Sequence, residues 1–190
     1  MGKRIRELGA TAGVTSAGLL EGGRPCPPEV IELMGLIGVD LSDRTSRQVS
    51  IDDVDRSHLV LTMERQQLRE VAIMTPTAWP KTFTLKELIG RCASVGGRLE
   101  GEPVESWIAR VHDGREPSDL LGDAPIDEVA DPYGGTTEEY TATEIELEAV
   151  VAELARLLFV PASVPPEPTA GPAPPAERSG RSRRGLVRRG

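Results

Sequence analysis

A chain of 190 residues accommodates one domain of ordinary size and a remainder, and its net charge of −8 argues against a nucleic-acid binder, whose footprint is a clustered basic face. Cys26 and Cys92 are too few for a disulfide framework or a zinc site, which fits a reducing cytoplasm and calls for no cofactor or metal. No apolar run approaches the ~20 residues of a membrane span, and the charged residues 1–8 hold no apolar signal-peptide core.

Residues 3–8 read as the last turns of a helix that ends at Gly9. A short apolar piece follows at 12–17, then a loop rich in Gly and Pro as far as Cys26. Pro28 suits a first helical turn, Val30, Leu33, Met34 and Ile37 share one face, and Gly38 suits a C-terminal cap. Ser50 with Asp53 three residues later has the form of a capping box around a short helical turn. Residues 59–63 predict a buried strand and residues 64–72 a helix directly behind it. Residues 81–85 predict a second short strand that runs into a helix through Arg91. Val104, Trp107, Ile108 and Val111 lie on one face of a further helix. The longest pattern, residues 138–159, sets Tyr140, Leu147, Val151, Leu154 and Leu158 along one stripe.

Strands that alternate with helices predict an α/β fold with a mostly parallel sheet and flanking helices. The body is expected over residues 1–160. Residues 161–190 hold seven prolines and then an arginine-rich end without apolar periodicity, which predicts a disordered tail. Six arginines against Glu167 and Glu177 give that tail +4, so the body carries −12. Such a tail either contacts an acidic partner or the membrane surface, or is solvated with no specific role.

One acidic residue stands apart, in Ala130-Asp131-Pro132-Tyr133-Gly134. Pro132 restricts Asp131 to an extended backbone, and Gly134 and Gly135 allow a sharp turn before the longest helix. The residues leave two readings open, an ordinary Asx turn and a carboxylate aimed outward from a rigid loop. His58 and His112 read as surface residues, Trp79 and Trp107 as packing residues. Glu138, Glu139, Glu144 and Glu148 read as a solvated face.

Taken in order, Thr15-Ser16-Ala17-Gly18, Ser46-Arg47-Gln48, residues 59–63 and Asp131-Pro132-Tyr133-Gly134 resemble the low-molecular-weight protein tyrosine phosphatases over about residues 3–159. Residues 82–88 (TFTLKEL) are similar to bacterial members. The resemblance implies a doubly wound α/β fold in which a cysteine attacks phosphotyrosine. It implies that Asp131 is the general acid, that Tyr133 walls the substrate cleft and that Ser16 supports the phosphate loop by hydrogen bonding. It also implies a phosphotyrosine protein or aryl phosphate as substrate, with no cofactor.

The family's defining motif, Cys, five residues, Arg, then Ser or Thr, belongs between the first, central strand and the first helix. There the backbone amides, the Arg fork and the helix N-terminus hold the phosphate and lower the cysteine pKa. Fourteen residues precede Thr15 and none is a cysteine. The expectation is an N-terminally truncated domain without its first strand and nucleophile loop, inactive as written. It is either a phosphatase with a late start or a non-catalytic, phosphatase-like binding module.

Cys92-Ala93-Ser94-Val95-Gly96-Gly97-Arg98 has the motif's spacing, but it follows a helix and has Leu99 where Ser or Thr belongs. It is rejected as a phosphate loop for want of a following helix. Cys26, between Pro25 and Pro27, cannot offer a run of N–H donors. An arsenate-reductase reading needs further reducing cysteines, for which Cys92 is the sole candidate and is poorly placed. Residues 19–23 bring no aromatic side chain, so the resemblance leaves substrate preference open.

Overall fold

The two strand patterns are separated by one helical pattern, a spacing that suits parallel strands joined by a crossover. The computed structural model describes residues 1–122 and 124–162. Its helices in chain order are α1 (Gly2–Glu7), α2 (Pro28–Leu36), α3 (Ile51–Arg56), α4 (Arg65–Met74), α5 (Leu85–Val95), α6 (Val104–His112) and α7 (Thr137–Phe159). Its strands are β1 (Val60–Thr62) and β2 (Thr82–Thr84), parallel, in the register Val60 with Thr82, Leu61 with Phe83 and Thr62 with Thr84. The result is an α/β fold with a small open parallel sheet and flanking helices. The tail expected over residues 161–190 lies outside the described residues from 163 onward. Ala162 still belongs to the body, donating its amide to the Arg98 carbonyl at 3.0 Å. No helix among the described residues is long and apolar enough to cross a membrane.

β2 is the centre of the packing. Thr82, Phe83 and Thr84 are each fully buried. Phe83 points into a cluster with Leu85, Leu88, Cys92, Trp107, Ile108, Val111, Leu154, Leu157 and Leu158, contributed by α5, α6 and α7. A second, smaller cluster holds Val54, Val71 and Ala78. The buried threonines need partners for their hydroxyls. Thr82 donates to the Ala78 carbonyl at 2.8 Å, and the Thr84 hydroxyl accepts the Glu87 amide at 3.1 Å as the N-cap of α5. One residue therefore ends the strand and starts the helix.

An arginine joins this core. Arg115, just beyond α6, lies between the rings of Trp79 and Phe83, with its guanidinium carbon 3.7 and 4.0 Å from their centroids. Burial pushes its guanidinium down to about 10, against the opposing pull of the Glu87 carboxylate 2.9 Å away. His112, expected at the surface, is half-buried. It packs edge-on against Trp79 at 5.7 Å, and burial followed by the neighbouring Arg115 lowers its pKa. His58 does stay exposed, beside Glu105.

Three further expectations are corrected. The apolar piece at 12–17 forms no regular structure and is exposed. Apart from Val14, itself 51% exposed, its small Ala, Gly, Ser and Thr side chains offer little apolar area to bury. Only Gly18 pairs, donating to the Arg47 carbonyl at 2.8 Å and accepting from the Val49 amide at 2.9 Å. The helix expected from Pro28 forms as α2, yet none of its residues is buried. The acidic face of α7 is not simply solvated: Glu148 pairs with Arg4, Glu146 with Lys86 at 2.8 Å, and Glu139 caps its own helix.

The capping box at Ser50 forms as expected. The Asp53 carboxylate accepts from the Ser50 hydroxyl at 2.7 Å, the Arg47 guanidinium at 2.5 Å and the Ser50 amide at 3.0 Å. These bonds, the serine hydroxyl first, draw it from an ordinary 3.8 down to about 2. A depressed folded value means that the stabilisation is complete above the unfolded pKa and disappears as pH falls through the folded one. The Val54 amide should therefore keep its exchange protection at pH 4 and lose it toward pH 2. An Asp53 carboxyl that titrates near 3.8 in the folded chain would refute this.

Candidate active site

Ligands of open α/β sheets bind beyond the carboxyl ends of the strands. The carboxyl end of β1 is Thr62, followed by Met63. The Met63 carbonyl accepts the amide of buried Val129 at 2.9 Å. Asp131 is two residues further on, so this bond places the acidic loop at the carboxyl edge of the sheet.

Within the loop the Asp131 Oδ1 accepts the Tyr133 amide at 3.0 Å, an Asx turn, and Asp131 is exposed. The two readings of this residue are thus compatible, because one carboxylate oxygen shapes the turn while the side chain faces solvent. Tyr133 is 78% exposed and stands out from the surface. The turn closes with a Gly135 amide bond to the Pro132 carbonyl at 2.8 Å, and Gly134 takes a φ of 78°. Thr136 then caps α7 in a reciprocal box with Glu139. Ser16 is exposed within the irregular residues 11–17. Among the described residues no hydrogen bond joins it to Asp131 or Tyr133, so the structure groups the latter two and leaves Ser16 apart.

The Cys92 spacing match does not make a phosphate site. Cys92 is buried in the last turns of α5, which stops at Gly96 with φ 82°. The Gly96 amide returns to the Cys92 carbonyl at 2.8 Å, and the Arg98 amide is taken by the Leu157 carbonyl at 2.8 Å. The amides that would cradle an anion are thus used within the fold. Burial, the largest cause, pushes the thiol up to about 11. Cys26 is half-exposed, and its amide is bonded to the Arg44 carbonyl at 3.3 Å.

The side chains that hold the loop in place escaped the sequence reading. Arg65 and Arg69 on α4 and Lys86 on α5 reach residues 119–128, more than forty positions away in sequence. No local pattern announces contacts of that range. The Thr136-x-x-Glu139 box was legible, as a threonine followed three residues later by glutamate.

The profile described as low molecular weight phosphotyrosine protein phosphatase matches residues 1–99, more than half of the chain. The chain belongs to the low molecular weight phosphotyrosine protein phosphatase family. Asp131 and Tyr133 lie beyond the matched residues. A probable low molecular weight protein-tyrosine-phosphatase EpsP of Ralstonia solanacearum is 31% identical over 85 residues, 44% of this chain and 59% of that protein. The chain thus spans little more than half the length of that relative. The solved low molecular weight protein tyrosine phosphatase of T. tengcongensis superposes with a TM-score of 0.60 at 25% identity, over 82% of this chain and 84% of that one. Wzb of Vibrio vulnificus, solved with benzylphosphonate, shares the fold at 18% identity, with a TM-score of 0.57 over 82% and 86% of the two chains.

A side chain at Gly135 would disturb the loop directly. A Cβ there would sit 2.5 Å from the Glu139 carboxylate and 2.9 Å from the Pro132 carbonyl. Gly135→Ala should therefore open the Pro132–Gly135 turn and weaken the α7 cap, lowering stability by about 0.5–2 kcal/mol. Denaturant titration with amide exchange at Glu139 checks this, and wild-type values for both would contradict it.

Proposed function

We propose that this chain carries the general-acid side of an aryl-phosphate phosphatase domain, and that its 190 residues by themselves do not turn over phosphate esters. The Val129–Met63 bond carries the first part of the reading, because it sets the Asp131 loop at the carboxyl end of the sheet. In phosphotyrosine hydrolysis a thiolate attacks phosphorus and the phenolate leaves. A carboxylic acid beside the leaving oxygen donates its proton, and the resulting carboxylate then takes a proton from the water that attacks the cysteinyl phosphate. Asp131 has the exposure and the loop for this, and Tyr133 beside it would flank the aryl ring. Ser16 keeps its proposed supporting role only where a phosphate loop is present for it to contact.

The second part rests on the thiols. With a pKa near 11, about one Cys92 in ten thousand is ionised at pH 7, and its neighbouring amides are engaged. Cys26 has a proline on either side. Neither sulfur is poised as a nucleophile, which favours a non-catalytic, phosphatase-like module as the second reading. The two free cysteines also fit a reducing compartment such as the cytoplasm.

The 190-residue chain should show no hydrolysis of p-nitrophenyl phosphate. Turnover that disappears in Cys92→Ser would overturn that statement. A polypeptide that joins these residues to a strand and a Cys-x5-Arg-Ser loop separates the two readings. Turnover in it supports the phosphatase, and its absence in a folded protein supports the binding module. In an active fusion, Asp131→Asn should slow phosphotyrosine hydrolysis about 10²–10⁴-fold, with less effect on good leaving groups. An unimpaired Asp131→Asn enzyme would remove Asp131 from the role.

A further inference from the structure

The segment that delivers the chain to Asp131 is not held by apolar packing. None of the described residues 116–128 is buried, and Leu121 and Ile126 are 76% and 81% exposed. Its regular structure is two short 3-10 turns, Pro117–Leu120 and Pro125–Asp127. Between it and α5 lies an open cleft of about 530 Å³, lined in part by Arg65, Arg91, Asp119 and Asp127. A strap of this kind stays in register only through its polar contacts.

Arg65, the first residue of α4, just beyond β1, makes three of those contacts. Its guanidinium donates to the Asp127 carboxylate at 2.6 Å and to the Asp119 carbonyl. Its backbone amide donates to the Glu128 carboxylate at 3.2 Å. Glu64, the N-cap of α4, makes no side-chain cap bond, so Glu128 supplies from a distance what the helix start lacks locally. Arg69, one turn along, donates to the Leu120 and Gly122 carbonyls at 3.1 and 3.0 Å. Lys86 holds the Glu128 carbonyl at 2.9 Å. The Arg65 and Asp127 side chains are 15% and 22% exposed, so this pair is shielded more than a surface pair and its planar fork fixes direction as well as distance.

We propose that Arg65 is the positioning residue of the acidic loop: it clamps residues 119–128 to the start of α4 and so sets where Asp131 stands beyond β1. The functional meaning of that position rests on Asp131 being the general acid, but the experiment reads the loop and not turnover. Failure of the phosphatase reading would therefore leave the clamp standing, and failure of the clamp would show without any assay of activity.

Amide exchange and NMR shifts of the 190-residue chain test it in Arg65→Gln, Arg65→Lys and Asp127→Asn. Arg65→Gln should speed exchange at Val129 and shift the Tyr133 amide and Asp131 carboxyl resonances. The Phe83 and Leu154 amide resonances should stay in place, since neither residue touches the clamp. An increase of about tenfold or more at Val129 is expected from the loss of a shielded charge pair. Arg65→Lys should restore part of it, because it keeps the charge and loses the fork. Asp127→Asn leaves Arg65 in place and should loosen the same amides, which keeps the test decisive if Arg65→Gln does not fold. Unchanged Val129 exchange in a folded Arg65→Gln or Asp127→Asn variant overturns the proposal. Resonance shifts at Phe83 and Leu154 as large as those at Val129 and Tyr133 also overturn it, since they report a rearranged core and not a released loop.

Discussion

The position of every feature at the candidate site depends on the register of β1 against β2. Thr84 stands opposite Thr62, so the two strands end together, and that pairing fixes in space the segment leaving each strand. After Thr62 the chain turns into α4 through Met63, whose carbonyl receives Val129. After Thr84 it enters α5 without a connecting loop, because the threonine hydroxyl and the Glu87 carboxylate close the capping box. Shifting β2 by one residue would turn Phe83 out of its cluster and a threonine into it.

The energetics rank the contacts. Phe83, Leu88, Trp107 and Leu154 are essentially inaccessible, and burial of side chains of this size contributes about 1.5–3 kcal/mol each. Exposed pairs such as Arg156–Glu153 contribute about 0–1 kcal/mol. Arg115 belongs to neither group. Its desolvation is offset by two ring faces and by Glu87, which also caps α5, so the carboxylate serves the arginine and the helix at once. Removing Glu87 would strip the charge partner and the cap together.

Much of this was readable beforehand where the signals are local. The strands around Leu61 and Phe83, the box at Ser50, the apolar faces of α6 and α7 and the Pro/Gly turn at Asp131 all rest on residues within a few positions of one another. The failures have a common physical cause. The apolar piece at 12–17 needs a neighbour to bury it, and sequence cannot supply one. The apolar side of α2 has the right spacing for burial, but periodicity states only that a face exists, not that something covers it. His112 was read from its place at a helix end, whereas its burial depends on Trp79 more than thirty residues away. The pairs Arg65–Asp127 and Arg4–Glu148 cross still longer stretches, so charges that look solvated in sequence turn out to fasten elements together. Cys92 shows the opposite case, since its spacing to Arg98 fits a phosphate loop while the surrounding helix and the end of α7 leave it no such geometry.

From residue 6 to residue 53 not one residue is buried, and the stretch, closed on itself by the Gly18 pairing, is joined to the body through the Lys3–Ile37 bond, the contact of α2 with α7 and the flank of α3. The heat capacity of unfolding scales with the apolar surface that becomes hydrated. Release of this stretch would hydrate little such surface, so it would contribute little to the calorimetric peak, which belongs instead to β2 and to the packing of α5, α6 and α7. Two probes of the same protein, one on each part, would then report different melting curves, and a single temperature would describe only the second.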